Sequence, residues 1–183
     1  MRLKSLHVDS LASPRWLLLV CAVLLLFACQ SQPLSPAASF KKDVKSILDK
    51  LCTALAEPVF KGDLPGIETV LSESEPQLAK LCLRCPFQVG VLNQHGQILA
   101  IHPPTERSNN FSSYDLVIKV ISSKQIQQQK FFLQNGPELY IICAPILRQD
   151  KVIGLIGIAI SAEEAKSKWG LTEKEFMALN FNT

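Results

Sequence analysis

The side chains with the capacity for thiol, metal or acid–base chemistry are the pair in Cys82-Leu83-Arg84-Cys85, the separate Cys52 and Cys143, and the histidines His95 and His102. A redox-active CxxC opens a helix, where the positive end of the helix dipole lowers the thiol pKa. Here the pair is expected to close a helix directly ahead of Pro86, which favours a structural role over redox catalysis. Zinc needs four ligands at characteristic spacings. Cys82, Cys85, His95 and His102 have the right atoms, but the histidines are seven apart and no second pair exists. Haem attachment requires a histidine straight after the second cysteine, and Pro86 is there instead. No GxSxG elbow marks a nucleophile and no glycine-rich loop could cradle a phosphate. The expectation is a protein that is not an enzyme and holds neither metal nor cofactor.

The rest of the sequence indicates where these residues sit. Arg2, Lys4 and Arg15 precede the apolar run from Trp16 to Ala28, the layout of a charged n-region and an h-region. The run is shorter than the ~20 residues a spanning helix needs, so it reads as an export signal. Its end, Leu26-Phe27-Ala28-Cys29, resembles the bacterial lipobox. That resemblance implies a signal peptide over residues 1–28 and an acyl chain of the palmitate type on the sulfur of Cys29, which becomes the new N-terminus. Residues 29–38, rich in Pro, Ser and Gln, read as a flexible lipidated tether. By the same resemblance, Gln30 rather than Asp after the lipidated cysteine implies the outer membrane over the inner one, with the remaining chain in the periplasm. In that oxidising compartment Cys82 and Cys85 are expected to form a disulfide, with Cys52 competing for one partner.

One domain is expected over 39–183, in a sequence that is 48% hydrophobic and 19% charged. The formal charge of +3 nearly vanishes on processing, because Arg2, Lys4 and Arg15 leave together with Asp9. Lysines and arginines are interspersed with acids, which argues against nucleic acid as a partner.

Ser39 reads as an N-cap, followed by Phe40, Val44, Ile47, Leu48, Leu51 and Leu55 along one helical face. Pro58 and the stretch Lys61–Gly66 are expected to break this helix. A second carries Ile67, Val70, Leu71, Leu78 and Leu81 and ends before Pro86. Residues 87–92 and 97–102 alternate as strands around the turn Asn93-Gln94-His95-Gly96. A long loop, 102–111, leads into a short helix with Tyr114, Leu116, Val117, Val120 and Ile121; loops of such length are often functional. Strands are expected at Gln127–Leu133, Leu139–Ile146 and Val152–Ile160, with turns at Asn135-Gly136 and Arg148-Gln149-Asp150. The last is apolar at both parities, as a central strand covered on both faces would be. Two short helices begin at Ser161 and Thr172. The polar stretch Lys124–Lys130 reads as a solvated strand edge.

Two helices, a hairpin containing Leu92–Ala100, a loop and helix, and a three-stranded meander together resemble the extracytoplasmic PAS-like sensor domains called Cache domains. The most specific echo is Asn135-Gly136-Pro137-Glu138-Leu139-Tyr140, then Ala144-Pro145-Ile146, then Lys151–Gly157. The family has a strand ending in Pro-Ile, a polar turn, and a strand opening on a valine and a glycine. The likeness spans roughly Phe40 to Ile160. It implies an α+β fold: a five-stranded antiparallel sheet with a long N-terminal helix and helices packed on the sheet. It also implies a small-molecule ligand, a carboxylate or similar metabolite, held between the sheet and the loop and helix before the third strand. Carried over by position, the wall of that site is Phe111, Tyr114 and Lys119 with Tyr140, Ile142 and Ala144. The amino-acid-binding pattern is not met, since no Arg and Tyr stand two apart in that region and the final strand lacks a clear Asp. Related receptors continue into a kinase, cyclase or chemotaxis module. This sequence ends at Thr183, so the domain is expected to lack its own transmitter and to act through a protein partner. The alternatives are an envelope scaffold of PAS-like fold without ligand, and a thiol redox protein at Cys82 and Cys85.

Overall fold

A computed structural model describes residues 34–81, 89–103, 110–132 and 136–183. The signal peptide, Cys29 and the tether up to Pro33, Cys82 and Cys85, and most of the 102–111 loop lie outside the described residues.

Helix α1 (Pro36–Lys61) buries Phe40, Val44, Ile47, Leu48, Leu51, Leu55 and Val59, a stripe with the helical three-and-four spacing. It starts four residues earlier than the sequence suggests. Ser35, not Ser39, is the N-cap, its hydroxyl accepting from the Ala38 N–H at 3.2 Å, and Pro36 takes a first-turn position where a missing N–H costs nothing. Nor does Pro58 end the helix, which continues to Lys61 and stops where Gly62 turns left-handed at φ 67°. Burial of Val59 explains the extra turn. Sinking a valine is worth roughly 1.5–3 kcal/mol, which offsets most of a helical proline's cost of ~3 kcal/mol. Helix α2 (Leu64–Leu81) follows at once, its first turn capped by the Asp63 carboxylate accepting from the Gly66 N–H at 3.0 Å. It tolerates Pro76 in the same way and adds Ile67, Leu71, Leu78 and Leu81 to the core.

Five strands follow the expected order: β1 (Val89–Asn93), β2 (Ile98–His102), β3 (Gln127–Phe132), β4 (Glu138–Arg148) and β5 (Lys151–Ser161). Every pairing is antiparallel and the sheet order is β2-β1-β5-β4-β3. The last strand in sequence is therefore the middle one in space. Its turn with β4 uses Gln149 and Asp150 at φ 49° and 60°. Positive φ at both central residues is the mirror-type turn that matches strand twist. Helix α3 (Asp115–Ser123) lies between β2 and β3, and α4 (Ala162–Trp169) and α5 (Glu173–Met177) close the chain.

The sheet is covered on both faces. On one, α1 and α2 pack against Val89, Val91, Tyr140, Ile142, Ala144, Ile146, Ile156, Ile158 and Ile160. The C-terminal segment joins this layer. Phe40 meets Trp169 and Phe176 edge-on at 5.0 and 6.3 Å, while Phe176 stacks on Tyr140 at 4.0 Å. Lys130 ties β3 to it by ion pairs with Glu138 and Glu173, both 2.8 Å. These two hydrogen-bonding carboxylates raise the lysine's pKa and keep it charged. Asn182 acts as one more strand residue, accepting from the Ile126 N–H at 2.9 Å and donating to its carbonyl at 3.1 Å. On the opposite face a smaller core joins Leu116, Val117 and Val120 of α3 to Leu92, Cys143 and Leu155.

Cys52 is half-buried on α1 and Cys143 fully buried under α3, and both are free thiols. Desolvation is the main cause that pushes each thiol up to about 12. Thiolates are the reactive form. Peptide mapping after iodoacetamide treatment at pH 8 should therefore show Cys52 and Cys143 unmodified in the folded protein and alkylated after denaturation; rapid native alkylation of Cys143 would contradict the packing.

Glycine sets a second test. At Gly154 a Cβ would lie 2.6 Å from the Leu92 carbonyl oxygen and 2.8 Å from Val59 Cγ1, whereas at Gly157 it would meet nothing within 4 Å. Gly154→Ala should cost about 1–3 kcal/mol through overpacking, and Gly157→Ala should gain up to about 0.5 kcal/mol because a strand glycine is entropically costly. Equal effects in urea denaturation would refute this distinction between the two faces.

Candidate functional site

Side chains paired across an antiparallel sheet point to the same face, so the register assigns each residue to a side. Tyr140, Ile142 and Ala144 pair with Ile160, Ile158 and Ile156, and all six face α1 and α2. Each of the three is at most 3% exposed, and Tyr140 is sealed beneath the Phe176 ring. Phe111 and Tyr114 lie on the other face, beside α3. Lys119 is exposed on α3, where the described contacts place its backbone carbonyl against the Ser122 and Ser123 hydroxyls. The structure thus does not bring together the six residues that the family resemblance assigned to one wall: the strand trio is core, on the opposite face of the sheet from the aromatic pair. A one-residue difference in parity is the whole difference.

The parity that faces α3 holds Ile141, Cys143 and Pro145 on β4, pairing with Ala159, Gly157 and Leu155 on β5. Gly157 in turn pairs with Gly90 of β1, which pairs with Ile101 of β2. Two glycines are thereby neighbours in the middle of the sheet, on one face. A Cβ added to either would meet nothing within 4 Å, so a hollow floored by backbone opens above them. Helix α3 fills the adjoining part of the face, where Leu92, Cys143 and Leu155 are buried. It stops short of the glycines: Gly90, Gly157, Ala159, Ile101 and Ile141 are all only half-buried.

An aromatic set borders this strip. Phe111 meets Tyr114 edge-on at 5.0 Å, and Tyr114 stacks over Phe131 of β3 at 6.0 Å with 29° between planes. Tyr114 stays 42% exposed. Their placement follows from the β1–β2 turn, where Gly96, at φ 76°, donates its N–H to the Asn93 carbonyl and accepts the Phe111 N–H at 2.9 Å. A side chain at Gly96 would strike Ser112 Cα at 2.7 Å. Glycine here lets the segment entering α3 dock on the hairpin and brings Phe111 over the sheet. The far end of α3 is fixed by Lys124, whose ammonium donates to the Asp150 carbonyl at 2.9 Å.

Two amides edge the hollow from β3. Gln127 pairs with Cys143 and donates to the Ser123 hydroxyl at 3.3 Å. Gln129 pairs with Ile141 and has no side-chain hydrogen bond among the described residues. Gly90, Gly157 and Gln129 were missed at the level of sequence; the available signal was a glycine on each of two apolar strands, which only the register turns into a pair. Among the described residues no group of three or more His, Cys, Asp and Glu could hold a metal. His102, which has the right ring nitrogens for zinc but the wrong spacing, lies 3.8 Å from Glu75 of α2, on the other face. Among the described residues no helix is long and apolar enough to cross a membrane.

No family model matches the sequence, and no curated protein matches it. Solved structures do share its architecture. The extracellular domain of the histidine kinase vpHK1S-Z8 superposes with a TM-score of 0.59 at 15% identity, over 76% of this chain and 58% of that one. A domain of a sensory box/GGDEF family protein from Vibrio parahaemolyticus gives 0.55 at 14% identity, over 76% and 61%. The ligand-binding domain of the amino acid chemoreceptor PctC of Pseudomonas aeruginosa PAO1, in complex with GABA, gives 0.52 at 11% identity, over 72% and 63%. The chain thus spans about three-fifths of the length of each of these structures. The antiparallel sheet in the order β2-β1-β5-β4-β3, backed by a long N-terminal helix, gives this chain the PAS-like fold of the extracytoplasmic sensory domains called Cache domains.

Proposed function

We propose that the protein is a lipid-anchored periplasmic sensor domain that binds a small molecule on the α3 face of its sheet and passes the signal to a protein partner. The observation that carries the reading is the half-buried strip over Gly90 and Gly157, bordered by Phe111, Tyr114 and Phe131, in a fold shared with sensory and ligand-binding domains. Apolar hollows with a few placed polar groups are the usual form of small-molecule sites. The GABA complex of PctC supports a ligand of metabolite size. Lipid attachment at Cys29 rests on the lipobox resemblance, and outer-membrane sorting on Gln30. An acyl chain enters a single leaflet, so a signal from such a domain has to leave through a protein contact. A half-buried thiol at Cys52 and a buried one at Cys143, each pushed up to about 12, offer no support for redox work at either.

Two experiments test the parts separately. A thermal-shift screen of small metabolites should yield compounds that raise the Tm of the wild-type protein, and Gly157→Val should abolish those shifts while the variant stays folded. Shifts that persist in the variant would place binding elsewhere. For the anchor, Cys29→Ser should eliminate incorporation of labelled palmitate and release the protein from the membrane fraction; a Cys29→Ser protein that is still acylated and sedimented would defeat that half of the reading.

A further inference from the structure

We infer that the hollow over Gly90 and Gly157 takes a flat, uncharged molecule with an amide- or carbonyl-type edge, rather than a carboxylate or a zwitterion. This inference rests on the sensor reading and specifies its ligand class.

The floor contributes backbone only, since both glycines have open space where a side chain would be. Adjacent strands are about 4.8 Å apart, so the two glycines clear a width comparable to one aromatic ring. Ile101, Ile141 and Ala159 flank it with hydrocarbon. The bordering aromatics offer π faces, with Tyr114 already stacked at 6.0 Å on Phe131 and partly free to solvent. Flat ligands gain most from such surfaces.

Charge decides the rest. No described residue of the floor or flanks is cationic or anionic. On α3, Asp115 and Lys119 are exposed. Lys124 is engaged with the Asp150 carbonyl, and Lys130 faces the opposite side of the sheet, held by Glu138 and Glu173. A carboxylate taken from water into this strip would lose hydration without meeting a counter-charge among the described residues, at a cost of several kcal/mol. A neutral amide loses far less and finds a partner in Gln129. That side chain is half-buried at the edge of the strip, brings one acceptor and two donors, and spends none of them on the described protein. An amide edge on the ligand can pair with it reciprocally.

Benzamide and benzoate separate the possibilities, because they share a shape and differ in charge. Calorimetry and thermal shift on the full-length protein in detergent should show benzamide binding at least tenfold tighter than benzoate. Gln129→Leu should weaken benzamide about fivefold and leave toluene unchanged, and Gln129→Lys should reverse the preference towards benzoate. Gly157→Val should block all three. Equal or tighter binding of benzoate to the wild-type protein at a site closed by Gly157→Val would overturn the inference and leave the sensor reading in place. Binding of neither benzamide nor benzoate, while amino acids or aliphatic carboxylates still shift the Tm, would do the same. Absence of any stabilising compound in either panel would overturn both.

Discussion

The structure depends on one demand, that β5 be covered on both faces. Its even-numbered residues Ile156, Ile158 and Ile160 meet α1 and α2, and its odd-numbered Leu155 meets α3. A strand so placed takes both neighbours, β1 and β4, from chain segments on either side of α3 in the sequence. Within the sheet, the hairpin 89–102 and β3–β4 of the meander are therefore joined through β5. Close approach is required at one point, where Gly154 lets α1 descend until Val59 nearly touches the strand backbone. The helix thus packs tightly on one face, whereas α3, with only nine residues, cannot span the other. The remainder, which no described helix covers, is the hollow.

Element types were legible in the sequence because each carries its own period. The stripe on α1, the alternation in β1, the hairpin signals and the doubly apolar β5 all led to the right elements. Boundaries failed where tertiary burial overrode local preference. Pro58 is a helix breaker by propensity, yet burial of Val59 keeps it helical; Ser39 is a fine cap, yet Ser35 with Pro36 behind it is better. The six wall residues fall on two faces for a different reason. In β4, Tyr140-Ile141-Ile142-Cys143-Ala144-Pro145 is apolar at every position, so periodicity could not say which parity faced α3. Tyr140 and its alternates looked more like a binding wall and proved to be core. Only register, a property of two strands at once, resolves such a case.

The C-terminal segment illustrates the same limit. Ser161 and Thr172 announced helix starts, and both cap as expected, Thr172 with a reciprocal capping box to Glu175. What the sequence did not reveal was where the segment goes. Phe176 and Phe181 are fully buried against α1 and the sheet, and Asn182 completes the backbone pairing of Ile126. Partners more than fifty residues apart along the chain leave no local trace.

The paired glycines Gly90 and Gly157 also bear on how a protein of this kind can diverge. A cavity lined by large side chains changes its contents by truncation, which costs stability each time. Here the floor has nothing to truncate, and one sheet thickness separates it from the larger core. Any mutation at these two positions can only add volume, into space that is already empty. On the proposed function, ligand preference can drift there by single steps while folding stability stays nearly level, so descendants could exchange one chemical cue for another without passing through an unstable ancestor.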